Sequence, residues 1–564
     1  MSVIPSEYQP PISCEEFIAR ASGDDEESFE VGVLFVGAGP ASLAGAIRLA
    51  QLLQSAPEVQ EQLGEMPIVV LEKGKYPGAH LLSGAVVNPS AFFKLFPDLK
   101  PEDFPFYGPV EDEAFYFLTE KKAFKLPLMP PPMQNHGNYV ASLSKIGQWL
   151  AEKAEELGVM IFPETAAVKV LVEDNRVVGV RTDDKGLDRD GKPMSNYEPG
   201  SNMLAKVTVV GEGTLGHLTQ TLLEYFGISR ENPQIYALGV KEIWEVPRPL
   251  KRVVHTMGWP LRLARKYREF GGSFIYPMGE NKVSLGLVVG MDYADASLSV
   301  HDLLQQFKQH PLVREILEGG KRLEKGWGAK TIPEGGFYSL PRQLHVPGAL
   351  FIGDAAGFVN VPALKGIHYA MWSGILAAEA IFDVLKAGLD PQSENTLARF
   401  DENVRNSFIW IDLYQVRNMR QAYQYGFFAG SLLAGFMTLT RGRFPGWKIP
   451  TLPDGAHPVF KGTRQYPKPD NQYTFDKLSS VYASGNRSRD TMPNHIRIRT
   501  DVPEEMGDLW VNMCPALVYE WAEENGQRKL TINAPNCIHC GAITAKGGRF
   551  TPPEGGNGPE YEET

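Results

Sequence analysis

A chain of 564 residues is longer than one hydrophobic core supports, since single cores stop growing near ~250–300 residues, so more than one domain is expected. With 43% hydrophobic and 22% charged residues it has the composition of a globular protein, and a net charge of −11 argues against a nucleic-acid partner, which calls for a basic face. Four cysteines over this length make no disulfide framework and point to a reducing compartment. The first thirty residues, "MSVIPSEYQPPISCEEFIARASGDDEESFE", are acidic and lack an apolar core behind a basic flank. They read as neither a secretory signal nor an Arg-rich transit peptide, which favours a bacterial cytoplasmic setting, although a processed organellar protein reads the same way.

"FEVGVLFVGAGPASLAGAIRLAQLL" (29–53) is an apolar strand, a glycine turn and an amphipathic helix. Gly37 permits the tight turn, and Gly39 lets the backbone approach a pyrophosphate at the helix N-terminus. Ser42 takes the third glycine position with a side chain small enough for close helix–strand packing. The strand in "MPIVVLEKG" follows, and Glu72 at its end is placed for a ribose hydroxyl pair. An inserted "SAPEVQEQLGEMP" stretches the spacing from Gly37 beyond the usual ~20 residues. Next, "GAVVNPSAFFKLFPDL" (84–99) predicts a short helix capped by Asn88 with Pro89 at its first position. Its Phe92, Phe93, Leu95 and Phe96 either pack on the protein's own core or dip into a membrane.

A second glycine turn, Gly211 to Gly216, sits in "AKVTVVGEGTLGHLTQTLL" (205–223). A third follows in "PGALFIGDAAGFVNVPALKGIHYAMWSGILAAEAI" (347–381), where a strand ends in Gly353–Asp354 ahead of a loop and a long helix. Asp354 there can bind a ribityl hydroxyl, with the helix N-terminus facing a flavin; an NAD domain has no use for this motif. Three glycine turns at strand ends argue for one FAD domain assembled from separated segments. The candidate FAD contacts are Gly37, Gly39, Ser42, Glu72, Gly84, Gly211, Gly353, Asp354 and Gly366. Further on, "QAYQYGFFAGSLLAGFMTLT" (421–440) carries no charge and is followed by Arg441, Arg443 and Lys448. Its strongly apolar part, Gly426–Leu439, is shorter than the ~20 residues that span a bilayer, so a buried core helix and a helix lying in a membrane interface both fit. From about 451 the Pro/Gly-rich "PTLPDGAHPVF" and "RQYPKPDNQYTFD" suggest a wrapping linker. The chain then closes with Cys514 in "NMCPALVYEW" and Cys537 and Cys540 in "NCIHCGAITAK". Iron–sulfur clusters and structural zinc usually use four ligands, and the remaining cysteine, Cys14, is far away in the sequence.

Several stretches together carry a family resemblance: "GAHLLSGAVVNPSAFFKLFPDLK", "GEGTLGHLTQTL", "PQIYALGVKEIWEV", "HTMGWPL", "FGGSFIYPM", "HPLVREILEGGKR", "PEGGFYSLPR" and "PPEGGNGPEY". Along nearly its full length the chain resembles the electron-transfer-flavoprotein:ubiquinone oxidoreductases. The resemblance implies one FAD, one [4Fe-4S] cluster and a monotopic membrane attachment. It further implies electrons taken one at a time from reduced electron-transferring flavoprotein and passed to a membrane quinone. It matches Gly271 and Gly272 to the family's quinone site, where two residues without side chains leave a slot for a ring, and it tips both apolar stretches toward the membrane interface. No catalytic acid or base is expected, because the cofactor carries the redox steps; His136, His255 and His368 are read as structural.

The family pattern of a Cys-Pro followed by Cys-x-x-Cys-x-x-Cys is broken here. Cys514, Cys537 and Cys540 match three positions as metal ligands, and Ile543 stands at the fourth within a shortened loop. A [3Fe-4S] cluster, a [4Fe-4S] cluster with a non-thiolate ligand, recruitment of Cys14 and loss of the cluster are all open on sequence. Zinc on the three cysteines and His539 is the alternative metal site.

The expected architecture is α/β. A Rossmann-like FAD domain of the glutathione-reductase type takes 30–83, 160–220 and 341–420; a β-sheet quinone domain takes 221–340. Segments 84–159 and 421–450 are membrane-associated, and 451–564 form a ferredoxin-like lobe. The expected location is the cytoplasmic face of a bacterial inner membrane, or the mitochondrial inner membrane in a eukaryote. Rival readings are an FAD-dependent reductase of an isoprenoid or aromatic lipid, which NAD(P)H would reduce directly, and a cluster-less docking protein for a flavoprotein.

Overall fold

The strand Ser28–Val36 is polar at its start and apolar from Val31 onward, as a strand covered by helices on both faces must be. It lies at the heart of a nine-stranded sheet in the computed structural model, which describes residues 2–21, 27–524 and 526–564. Parallel neighbours run Met160–Phe162, Ile68–Leu71, Ser28–Val36, Asn202–Val210 and Ala349–Phe351. An antiparallel hairpin, Ala167–Glu173 with Arg176–Thr182, extends the sheet beside Asn202–Val210. The helix Pro40–Gln54 starts at the glycine turn, with Gly39 as its cap and Pro40 at its first position. It packs against the helix Ile367–Lys386 so closely that a Cβ on Gly374 would stand 1.9 Å from the Ala41 carbonyl oxygen.

A second sheet of seven strands runs Lys321–Pro333, Tyr236–Glu245, Lys282–Gly290, Gly271–Pro277, Val253–Gly258, Glu113–Leu118 and Ala123–Lys125. Its last two strands come from the stretch read as a connection: Glu113–Leu118 pairs in parallel with Val253–Gly258 across well over a hundred residues of chain. The C-terminal lobe closes over this sheet, with Trp510, Met513 and Ile538 packed in the same core as Leu285, Leu287 and Trp327. Beneath lies a buried ion cluster. Glu242 accepts from Lys308 Nζ at 2.7 Å and from Trp244 Nε1 at 2.8 Å, with Arg322 3.6 Å away. Burial alone would push the Glu242 carboxyl up, but Lys308 and Arg322 override it and hold it at about 2.

The two apolar stretches behave differently from each other. In 84–99 the helix covers Ser90–Leu95, one residue later than expected, and the Asn88 side chain accepts from the Ser90 N–H at 2.9 Å. Phe92 and Leu95 are buried, and the rings of Phe92, Phe93 and Phe96 meet Phe104 and Trp149, so most of this segment's apolar surface packs inward, with Phe93 left exposed. The helix Phe427–Leu439 does the reverse: Phe428, Leu432, Phe436 and Leu439 are exposed, and only Gly430 and Met437 are buried, which excludes a core helix. Among the described residues no helix is long and apolar enough to cross a membrane.

Candidate functional site

One cavity of about 1270 Å³ runs along the strand ends of the first sheet, across the face of the second, and out between the hairpin at 113–125 and the helix Phe427–Leu439. At its inner end the Gly37 turn (φ +93) leaves the backbone bare, and a Cβ there would stand 2.9 Å from the Gly211 carbonyl oxygen. Glu72 is fixed by two backbone donors, the Ala38 N–H at 3.0 Å and the Gly74 N–H at 2.6 Å. Burial pushes its carboxyl up, against those same bonds and nearby Lys73. Gly39, Gly84, Gly211, Gly353, Asp354 and Gly366 line the cavity as well. Ser42 does not; its hydroxyl lies 2.2 Å from where a Cβ on Gly211 would be, so it packs helix on strand. Asp354 accepts from the Thr214 hydroxyl at 3.3 Å, and burial raises its carboxyl to about 6. Bare glycine turns at one end, the buried Glu72 carboxylate beside them, and a second carboxylate ahead of the helix Ile367–Lys386 form a cradle that fits FAD along its length.

Farther out, Gly271 and Gly272 open the strand Gly271–Pro277 on the cavity wall. The sheet itself also needs them: a Cβ on Gly271 would meet the Val288 carbonyl oxygen at 1.9 Å, and one on Gly272 the Thr256 carbonyl oxygen at 2.6 Å. Beside them His255 Nε2 and the Tyr276 hydroxyl share a hydrogen bond of 2.7 Å. Burial pushes the His255 imidazole down to about 3, so it stands neutral.

The cysteine lobe reaches the same cavity through His539, Gly541 and Phe550. Cys514 and Cys537 are buried, and the Cys514 sulfur accepts from the backbone N–H groups of Ala516 at 3.4 Å and Val518 at 3.5 Å. Burial raises all three thiols, Cys540 to about 12, so a metal must displace their protons on binding. The Cys540 carbonyl accepts from the Thr331 N–H at 3.0 Å and its hydroxyl at 2.9 Å, and Lys330 Nζ donates to the His539 carbonyl at 3.0 Å. Cys14 is elsewhere, beside Glu224 and the helix His217–Tyr225, and does not join the other three.

Two family models match: the ubiquinone-binding model of ETF-QO over residues 236–332, and the 4Fe-4S model of electron transfer flavoprotein-ubiquinone oxidoreductase over 471–562. The mitochondrial electron transfer flavoprotein-ubiquinone oxidoreductase of Oryza sativa is 41% identical over 96% of this chain and 94% of its own length. The chain belongs to the electron transfer flavoprotein-ubiquinone oxidoreductase family. The human mitochondrial member is 40% identical over 96% of this chain and 91% of its own. In fold alone, a geranylgeranyl bacteriochlorophyll reductase-like protein from Thermoplasma acidophilum is similar, with a TM-score of 0.55 and 16% identity over 74% of this chain and 96% of that one.

The cofactors of the family are FAD and a [4Fe-4S] cluster, and the cysteine lobe fits a cluster through two buried thiols and one half-buried, with backbone N–H donors aimed at the Cys514 sulfur. Sequence reasoning missed several groups at this site. Lys73 and Lys330 stand half-buried between the dinucleotide pocket and the cysteine loop, and desolvation there pushes both ammonium groups down, Lys330 to about 8. Lys241, held by the Ser83 carbonyl at 2.7 Å, is also buried on the wall. Phe124, Leu126 and Leu128 form an exposed apolar tip where the hairpin faces the helix Phe427–Leu439, and Phe117 and Phe427 bring their rings within 6.0 Å. A lone lysine or a short apolar run carries no signal in sequence; the hairpin became visible only once both strands had partners.

Proposed function

We propose that the protein takes electrons from reduced electron-transferring flavoprotein and delivers them to ubiquinone or another membrane quinone. The reading is supported above all by the single cavity that joins a dinucleotide cradle, a cysteine lobe and an exposed apolar patch. FAD, when bound, supplies the conversion between one-electron and two-electron steps, and the cluster supplies a one-electron relay. The rest is the work of the chain itself. Glu72 and the glycine turns orient the dinucleotide, and Asp354 holds its far end. Lys73 and Lys330 place positive charge where negative charge develops on reduction. Gly271 and Gly272 leave room for a quinone ring, His255 and Tyr276 hold a proton at the same wall, and the apolar lining excludes water.

The patch made by Phe124, Leu128, Phe428, Leu432 and Leu439, with Arg441, Arg443 and Lys448 following, suits a protein lying on one membrane face. That face is the cytoplasmic side of a bacterial inner membrane, or the mitochondrial inner membrane in a eukaryotic cell. The test is quinone reduction in mild detergent with reduced electron-transferring flavoprotein as donor. Turnover with this donor and none with NAD(P)H is expected. Fast flavin reduction by NAD(P)H alone would turn the reading toward a reductase of a lipid.

A further inference from the structure

Two histidines beside the cysteines have no assigned role. His495 and His539 are 3% and 1% exposed, and in each ring both nitrogens lack a hydrogen-bond partner. An imidazole buried with both nitrogens unsatisfied forfeits its hydration without return, and such groups ask for a missing partner. The metal-binding atoms of His495, Cys537 and His539 all lie within 4.8 Å of one another. Each ring therefore brings one orphaned nitrogen within 4.8 Å of the Cys537 sulfur.

The two rings are not equivalent. His539 lies inside the Cys-x-x-Cys turn with a left-handed backbone (φ 57), and its ring meets His80 at 5.1 Å and lines the flavin cavity. His495 arrives from a separate segment, just ahead of the short strand Ile496–Arg497, which pairs with Arg549–Phe550. Its carbonyl is already used by the Thr551 N–H and hydroxyl, which pins its backbone and leaves only the ring free. This segment also comes near the position that lacks a thiolate: Ile543 and Ile498 both stand beside Gly548, where a Cβ would meet Ile543 Cγ1 at 2.5 Å and Ile498 Cγ2 at 2.7 Å.

We propose that His495 supplies the fourth ligand of the cluster, a nitrogen that completes a set with Cys514, Cys537 and Cys540. The proposal rests on the reading of the C-terminal lobe as a [4Fe-4S] domain. A neutral imidazole in place of a thiolate removes one negative charge from the ligand set, so the cluster holds an electron more tightly than with four cysteines; histidine ligation raises the potential of Rieske centres in the same sense.

The test uses the full-length protein purified anaerobically. Iron and acid-labile sulfide are measured against FAD, and pulsed EPR of the dithionite-reduced protein is recorded with histidine at natural abundance and labelled with nitrogen-15. A strongly coupled histidine nitrogen that responds to the label is expected. His495→Ala should lose that coupling and about one iron in four while keeping its FAD. Adding Ile543→Cys to that variant should restore the iron without the nitrogen coupling and lower the cluster potential. Unchanged iron and nitrogen coupling in His495→Ala, or coupling lost only in His539→Ala, would overturn the assignment. If His495→Ala fails to fold, the labelled wild-type spectrum still decides, because absence of a coupled nitrogen refutes it. Wild-type protein with full FAD and no iron would instead remove the cluster itself, a different failure from a wrong ligand.

Discussion

Changing Phe428, Leu432 and Leu439 together to serine tests whether the exposed face of the helix Phe427–Leu439 holds the protein on a membrane. The three side chains are 73%, 65% and 81% exposed, so a lipid surface would cover most of each. At about 2 kcal/mol for covering one such side chain completely, the fractions left in water amount to about 4 kcal/mol. Since 1.4 kcal/mol is a factor of ten, partitioning onto vesicles should fall about 1,000-fold. The assay is co-sedimentation with phospholipid vesicles over a range of lipid concentration, with turnover of a short-chain, water-soluble quinone as the control for folding. The control should stay within about twofold, because none of the three changes adds bulk to the cavity wall. A loss of vesicle binding smaller than about threefold, with FAD retained, would refute the reasoning: the patch would then be covered by something other than lipid.

Glu72→Ala removes the acceptor for two backbone N–H groups and the candidate ribose ligand; at about 1.5–3 kcal/mol per charge-assisted bond, FAD retention on dialysis should drop at least about tenfold, and full FAD content would refute the assignment. Gly272→Ala crowds the Thr256 carbonyl and should slow quinone reduction by about tenfold, the effect of about 1–3 kcal/mol of overpacking, while the donor flavoprotein still reduces the flavin; parallel loss of both activities would mean sheet damage instead. Lys308→Met strands the buried Glu242 carboxylate and should lower stability by about 3–5 kcal/mol in urea unfolding, with Glu242→Gln added to it recovering most of that; an unchanged midpoint would refute it. Because the folded Glu242 carboxyl is held at about 2, below its ordinary 4.5, its contribution is full above pH 4.5 and fades as pH falls toward 2. The gap between wild type and Lys308→Met should narrow over that window.

The dinucleotide cradle was legible because its chemistry is local. A parallel strand, a glycine turn and a helix follow one another in the chain, and Gly37, Gly39 and Glu72 stand where that spacing placed them. The three thiols were legible for the same reason of type and spacing, whereas Ile543 stood out only against the pattern of the family the chain resembles. The two apolar stretches show the limit. Both had the composition of interfacial segments, yet Phe92 found Phe104, Phe106 and Trp149, while Phe428 and Leu432 found nothing to cover them. Nothing local distinguishes an aromatic residue that will be buried from one that will not.

The glycine turns were enough by themselves to determine an α/β flavoprotein, since each follows from residues close in sequence whose backbone or side chain has one use, and the late cysteines read as a metal lobe one thiolate short once the family resemblance was set beside them. Only the tertiary structure decided that a hairpin from 113–125 joins the second sheet, that Lys73 and Lys330 stand between the cofactor sites, and that His495 lies beside Cys537. Those placements depend on which surfaces meet when the two sheets and the lobe close on one another, and that is settled by burial summed over the whole core.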